Sequence, residues 1–305
     1  MRIKLFTHTD LDGVGCYIAL ADAFGESNID VVFCDYHNVN ERVEKFLNDP
    51  VEGYNIVLIT DISVNENVAE MIDNQDSYEF MLLDHHKTAE DLNKYDWAYV
   101  VSSDSKGKTS GTSMVSDVFI GDKVTRSEAH LAFIETVRRY DTWEWSTIYN
   151  DEHAKQTNDL LDIYGRKDFI EMYLEKLQKG DMSFTGPQQL VLELRQREID
   201  GYIKSKEKTM QVMIVDGLRV GLVFNERFSS EMGNVLSEKH PELDLIAMAN
   251  IDRGTISLRT IHDDVDLSVF AKRYAGGGHP KAAGMPLFPR SKEMVAMMTF
   301  PVSIR

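Results

Sequence analysis

The sequence predicts an α/β protein: a parallel sheet of βαβ units, followed by a smaller α+β domain. Three observations predict it. Short apolar runs at 2–7, 29–34, 56–60 and 79–83 alternate with helical patterns at 14–24, 40–47 and 65–74. The run Ile56-Val57-Leu58-Ile59-Thr60 is apolar on both faces, as a buried parallel strand is. Beyond a polar, Gly- and Pro-containing break at 179–187, the pattern changes to hairpins.

Taken in order, the first strand carries Ile3, Leu5 and Phe6 and ends in His8-Thr9-Asp10-Leu11-Asp12-Gly13. After the fourth strand the chain reads as helices over 108–120, 126–140 and 168–179. The break places the end of a first domain at 186. A polar helix over 187–209 is expected to act as a connector, with Leu190, Val191, Leu194, Tyr202 and Ile203 as its packing stripe. The second domain is expected over 210–305. Asp216-Gly217 joins strands 210–215 and 218–224 with the residues a two-residue hairpin turn favours. A second hairpin is read over 243–250 and 255–260, and helices over 227–239 and 267–274. No internal repeat is present.

Composition narrows the function classes. At 305 residues the chain is about twice a typical domain, long enough for two cores. With 43% hydrophobic and 27% charged residues, it is neither fibrous nor disordered. No run of about 18 apolar residues occurs, so no membrane span is expected. The opening residues lack an apolar signal core and reach an acid at Asp10, so no signal peptide is expected. The net charge of −17 disfavours gripping long duplex nucleic acid, where many cation–phosphate contacts set affinity. A small anion held through metal ions remains allowed. The two cysteines, Cys16 and Cys34, sit among apolar neighbours and read as buried free thiols of a reducing compartment, which points to the cytoplasm.

The chemistry gathers at strand ends. In parallel α/β sheets ligands bind outside the carboxyl ends of the strands. The first strand delivers His8, Asp10 and Asp12, the third Asp61, and the fourth Asp84, His85 and His86. An extended run would put His8, Asp10 and Asp12 on one side. So many carboxylates in one place repel one another, and divalent cations relieve that repulsion. Singly, each residue has a plainer reading: Asp61 as a helix cap, His8 as a strand-end side chain, His85-His86 as a surface pair. Their joint arrival at three strand ends favours a metal site.

These same residues resemble the first three motifs of the DHH phosphoesterase family: His8-Thr9-Asp10-Leu11-Asp12-Gly13, the lone Asp61, and Asp84-His85-His86. Asp141, in Arg139-Tyr140-Asp141-Thr142-Trp143, fits the fourth motif; its plainer reading is a helix-end cap or a partner of Arg139. Gly276-Gly277-Gly278-His279, continuing to Gly284, resembles the glycine-rich signature of the DHH-associated C-terminal domain. The opening Thr9-Asp10-Leu11-Asp12-Gly13-Val14-Gly15-Cys16 is most similar to the nanoRNase/oligoribonuclease, NrnB-like branch.

The resemblance implies a Rossmann-like catalytic domain, a smaller substrate-binding domain and a cleft between them. It implies two Mn²⁺ ions, or Mg²⁺, that activate a water to attack phosphorus. His8, Asp10 and Asp61 would hold one ion. Asp12, Asp61, His85 and Asp141 would hold the other. His86 would act on the substrate phosphate, and Asp84 would orient an imidazole. Arg259, Gly276, Gly277, Gly278 and His279 would bind substrate, with Lys272, Arg273 and Lys281 as a basic rim. The implied activity is hydrolysis of short RNA oligonucleotides to mononucleotides. Hydrolysis of 3′-phosphoadenosine 5′-phosphate or of linear dinucleotides are alternatives, and a non-catalytic nucleotide sensor is a remote one. Expected partners are short single-stranded RNA or small nucleotides, with no long duplex and no membrane; a homodimer is the oligomer allowed.

Two lesser features stay open at this level. Lys108-Thr109-Ser110-Gly111-Thr112 precedes a helix and could present N–H groups to an anion or serve as a simple cap. Arg138-Arg139 could contact phosphate, but reads better as an exposed helix face.

Overall fold

The computed structural model describes residues 1–49 and 51–287. The final stretch of the expected second domain, 288–305, lies outside the described residues. The chain divides into two compact units, Met1–Leu192 and Glu193–Arg305.

The first unit opens with β1 (Ile3–Thr7), α1 (Leu11–Phe24), β2 (Ile29–Phe33), α2 (Val39–Asn48), β3 (Ile56–Thr60), α3 (Glu66–Asp73), β4 (Phe80–Asp84) and β5 (Ala98–Val100). These five strands form one sheet in the order β2-β1-β3-β4-β5. Every pair in it is parallel. Period-two alternation sorts the side chains. Ile3, Leu5, Ile56 and Leu58 face a core shared with α1. Phe6, Val57 and Ile59 face a second core shared with α2 and α3.

Two-residue strands β6 (Ser103–Asp104) and β7 (Gly107–Lys108) follow, then α4 (Gly111–Met114), which runs into a π-helical turn over Val115–Ile120. The helix expected over 108–120 thus starts three residues late, because Ser110 caps it through a reciprocal hydrogen-bond pair with Ser113. The unit continues with α5 (Glu128–Asp141) and α6 (Glu152–Lys179). The pattern expected over 168–179 is the second half of α6, which breaks at Gly165 (φ 74°, ψ 161°). Sequence reading passed over β5, whose three residues are too few to show a period.

The division between the units falls inside α7 (Gly186–Glu207). Its packing stripe differs from the expected one. Leu192, Ile199 and Ile203, spaced i, i+7 and i+11, are buried, whereas Leu190 and Leu194 on the opposite side are exposed.

The second unit contains β8 (Gln211–Val215), β9 (Leu218–Phe224), α8 (Ser229–Lys239), β10 (Leu245–Asn250), β11 (Thr255–Arg259), α9 (Leu267–Lys272), β12 (Gly277–Gly278) and β13 (Ala282–Pro286). Among the described residues its strands form one sheet in the order β12-β13-β11-β10-β9-β8. Asp216 and Gly217 both take positive φ, which the β8–β9 hairpin turn demands. Val220, Ala247 and Leu258 pack on α9 from one face. Val223, Ile246 and Met248 pack on α8 and on Ile199 and Ile203 from the other.

Candidate metal centre

The strand order creates the site. From β1 the chain steps outward to β2 and then returns across the sheet to β3, so the carboxyl ends of β1 and β3 flank a topological switch point. Residues leaving those ends have no crossover chain above them.

β1 stops at Thr7, and the extended reading of the following residues does not hold. Asp10 is the N-cap of α1, its Oδ1 accepting the N–H of Gly13 at 3.1 Å. Asp12 lies in the first helical turn. The turn from strand to helix therefore separates the two carboxylates. His8, Asp10 and Asp61 offer ligand atoms within 4.8 Å of one another, and so do Asp12, His85 and Asp141. Asp61 stands at the junction: its Oδ2 is 3.8 Å from His8 Nδ1 and its Oδ1 is 3.3 Å from His85 Nε2. It holds this place in the left-handed region, at φ 57°, which a short polar side chain tolerates better than most. His85 Nε2 is also 3.4 Å from Asp141 Oδ2 and 3.7 Å from Asp12 Oδ2.

Electrostatics disfavours charge on the buried carboxylates of the cluster. Asp61 is 1% exposed. Burial first, and then the neighbouring carboxylates, push both Asp61 and Asp141 well above the usual carboxylate range. The Oδ2 atoms of both are buried without a hydrogen-bond partner. Four carboxylates, two imidazoles and two orphaned oxygens fit divalent cations that accept mixed N and O donors.

Asp84 is engaged differently. Its Oδ1 lies 2.7 Å from His86 Nδ1 and accepts the N–H of His85 at 2.7 Å, and Ser63 donates its hydroxyl to Oδ2. The imidazole it orients is that of His86. Burial lowers the His86 pKa, but the hydrogen bond and charge of Asp84 outweigh it and leave His86 above its ordinary value. In return, His86 and Ser63 hold Asp84 below the ordinary range against burial.

The loop before α4 resolves one open reading. Gly111 N–H donates to Asp12 Oδ2 at 2.5 Å and Thr112 N–H to Asp12 Oδ1 at 2.9 Å, while the Thr112 hydroxyl reaches the Asp12 carbonyl at 2.7 Å. The anion these N–H groups meet is the chain's own Asp12. Arg138 departs from the exposed-face expectation: it is buried, paired with Glu135 and Glu144, and donates to the Lys108 carbonyl. Arg139 pairs with Glu135 and Asp151, so the reading of Asp141 as its partner fails.

The remaining candidates lie in the second unit. Arg259 faces Ala282 across the β11–β13 ladder, and His279 N–H donates to the Ala282 carbonyl at 2.8 Å, which brings the two residues' backbones to one neighbourhood. Arg259 donates to the Leu258 carbonyl and to the Ser230 hydroxyl. The glycine run is partly a strand. A Cβ on Gly276 would lie 2.2 Å from the Gly284 carbonyl oxygen and one on Gly278 2.6 Å from Ala283 Cα, so both glycines permit close packing on β13, while Gly277 faces open space. Of the expected basic rim, Arg273 pairs with Asp216 and Lys281 with Asp263.

Sequence reading missed Tyr36 and Ser63, and it named Gly111 and Thr112 without finding that Asp12 is the group they hold. Tyr36 follows the carboxyl end of β2, a strand end from which no candidate was read.

Comparison with known proteins adds the following. Residues 2–136 match the model of the DHH family, N-terminal domain. The chain is 35% identical over 305 residues to oligoribonuclease NrnB of Bacillus subtilis (strain 168), covering 98% of this chain and 76% of that protein. Among solved structures, it is similar in fold to RecJ in complex with Mn²⁺ from Thermus thermophilus (TM-score 0.56, 15% identity, 98% of this chain, 52% of that one). It is likewise similar to the pGpG-specific phosphodiesterase PggH from Vibrio cholerae (TM-score 0.55, 13% identity, 98% of this chain, 97% of that one).

Proposed function

The chain belongs to the DHH family, in its NrnB-like branch, and from that membership we propose that it hydrolyses the phosphodiester bonds of short RNA oligonucleotides, releasing mononucleotides. The observation that carries the reading is the junction at Asp61, where the His8–Asp10 pair and the Asp12–His85–Asp141 group meet.

His8, Asp10 and Asp61 hold one divalent cation, and Asp12, Asp61, His85 and Asp141 a second. Imidazole donors favour Mn²⁺ over Mg²⁺, whose shells prefer oxygen. Bound cations supply Lewis-acid activation of water and neutralise charge on the phosphate. The chain's own side chains do the rest. With Nδ1 committed to Asp84, His86 presents Nε2 as the donor to a phosphate or leaving-group oxygen. Asp84 keeps the proton at Nδ1 and fixes the ring. In the second unit, Arg259 and the Gly276–His279 segment bind a phosphate of the oligonucleotide.

Among the described residues no helix is long and apolar enough to cross a membrane. Both cysteines are free and buried, which suits a reducing compartment such as the cytoplasm.

The test is a time course on 5′-labelled RNAs from a dinucleotide upward with Mn²⁺, run beside 3′-phosphoadenosine 5′-phosphate. Turnover that falls steeply with length supports the reading. Equal rates at all lengths would move the substrate to long single strands. Silence on RNA with turnover of the bisphosphate would make the protein a nucleotide phosphatase.

A further inference from the structure

Tyr36 follows β2 at the carboxyl edge of the parallel sheet, where the metal-ligating residues emerge. Its ring centroid lies 5.1 Å from that of His8 and 6.3 Å from that of His86, the latter edge to face at 88°. Its hydroxyl is 3.4 Å from His86 Nε2, at the long end for a hydrogen bond. The side chain belongs to neither apolar core of the first unit, and the residue is 57% exposed. More than half of the residue faces solvent, and its ring leans on two imidazoles of the site and not on an apolar core.

The backbone beneath it is held firmly. Cys34 N–H donates to the Thr7 carbonyl at 2.7 Å, which ties the turn to the end of β1. Asp35 N–H donates to Asn38 Oδ1, His37 N–H to Asp35 Oδ1, and the N–H groups of Asn38 and Val39 both to the Asp35 carbonyl. Those bonds fix the turn on both sides of Tyr36, so its ring is presented on a set platform. Little ordering remains for a ligand to bring about.

We propose that Tyr36 is a specificity-determining residue whose ring stacks on the nucleobase of the nucleotide adjoining the scissile phosphate. The inference rests on the phosphodiesterase reading above and deepens it by naming what distinguishes a nucleotide from any other phosphodiester. Every base has a π-face, so such a platform selects for a base without selecting which one. One ring takes one base, so its contribution is complete in a dinucleotide and gains nothing from further length.

The experiment compares wild type, Tyr36→Phe, Tyr36→Leu and Tyr36→Ala on an RNA dinucleotide, on the same compound with one abasic ribose at either position, and on bis(p-nitrophenyl) phosphate. Melting temperature reports folding, and Tyr36→Leu keeps bulk at the turn should the alanine variant fail to fold. We expect Tyr36→Ala and Tyr36→Leu to raise KM for the dinucleotide on the order of ten-fold, with kcat within a few-fold of wild type. Tyr36→Phe should retain the wild-type KM. The penalty should vanish on one of the two abasic compounds.

Three outcomes would overturn this proposal and leave the substrate reading standing: an unchanged KM in Tyr36→Leu, a penalty that persists on both abasic compounds, or a loss in Tyr36→Phe equal to that in Tyr36→Ala. The last would make the residue a hydroxyl partner of His86 and would appear in kcat. A wild-type protein that cleaves bis(p-nitrophenyl) phosphate but no dinucleotide would overturn both this proposal and the substrate reading beneath it. An active wild type with an indifferent Tyr36 would overturn this proposal alone.

Discussion

Asp12 and Gly111, ninety-nine positions apart, meet in a 2.5 Å hydrogen bond from the Gly111 N–H to the Asp12 carboxylate. The contact exists because position 111 lacks a side chain. A Cβ there would lie 2.5 Å from Asp61 Cβ and 3.1 Å from Asp12 Oδ2. One backbone thus limits where two of the proposed metal-binding carboxylates stand.

Gly111→Ala should therefore weaken Mn²⁺ binding and turnover by about 10–100-fold, the range for residues that support metal ligands. Titration calorimetry with Mn²⁺ measures it directly, and the melting temperature of metal-free protein serves as the control. Wild-type affinity in the alanine variant would refute the positioning role.

Asp61 carries a buried oxygen without a partner. Removing its charge should stabilise the metal-free protein while abolishing metal-dependent hydrolysis. Burial and the carboxylates of Asp10, Asp12 and Asp141 oppose its charged form, and an amide carries no charge for them to oppose. Asp61→Asn should accordingly melt higher than wild type in chelator and lose the further stabilisation that Mn²⁺ gives wild type. A lower melting temperature in chelator would mean that Asp61 is structural.

Arg259 is partly buried, and its guanidinium is anchored by the Leu258 carbonyl and the Ser230 hydroxyl. Charge-assisted hydrogen bonds contribute about 1.5–3 kcal/mol, so Arg259→Ala should raise KM on the order of ten-fold or more with a smaller effect on kcat. Arg259→Lys should recover only part of this, since the planar fork is lost. An unchanged KM in steady-state kinetics would remove Arg259 from substrate binding.

Cys34 is buried, and burial pushes its thiol up to about 11. Cys16 is likewise raised by burial, beside the Asp12 carboxylate. The thiolate is the reactive form, so at about pH 8 both thiols should resist Ellman's reagent in native protein. Both should react once guanidinium unfolds the chain. Fast labelling of either in the native state would contradict its burial.

Much of this protein is written locally. The parallel strands announced themselves through runs such as Ile56–Thr60, because a strand covered on both faces has no polar side to offer. The β8–β9 turn was legible in Asp216-Gly217, since few residues accept two successive positive φ values. His8, Asp10, Asp12, Asp61 and His85 stood out as candidates because carboxylates and imidazoles at strand ends have few roles to choose among, whereas Asp141, at the end of α5, was named only through the resemblance to the family. Registers were harder. In α7, leucines at 190 and 194 looked like core and are exposed, because a helix that serves two cores in turn answers to neither period alone.

What residue order cannot express is which distant segments share a few ångströms. Asp12 reads as the continuation of a strand until Asp10 is seen to cap a helix and turn the chain. The N–H groups of Gly111 and Thr112 read either as a site for an anion or as a simple cap until Asp12 is found to occupy them. Arg138 reads as surface until Glu144 and the Lys108 carbonyl close over it. Residue type and spacing therefore sufficed for the class of fold, which follows from local propensity and burial, while the expected chemistry rested on the resemblance to the family. The division of the carboxylates into two groups joined at Asp61, and the exposed ring of Tyr36 beside them, arise from long-range packing at the β1–β3 switch point, where contact depends on distance in space and not along the chain.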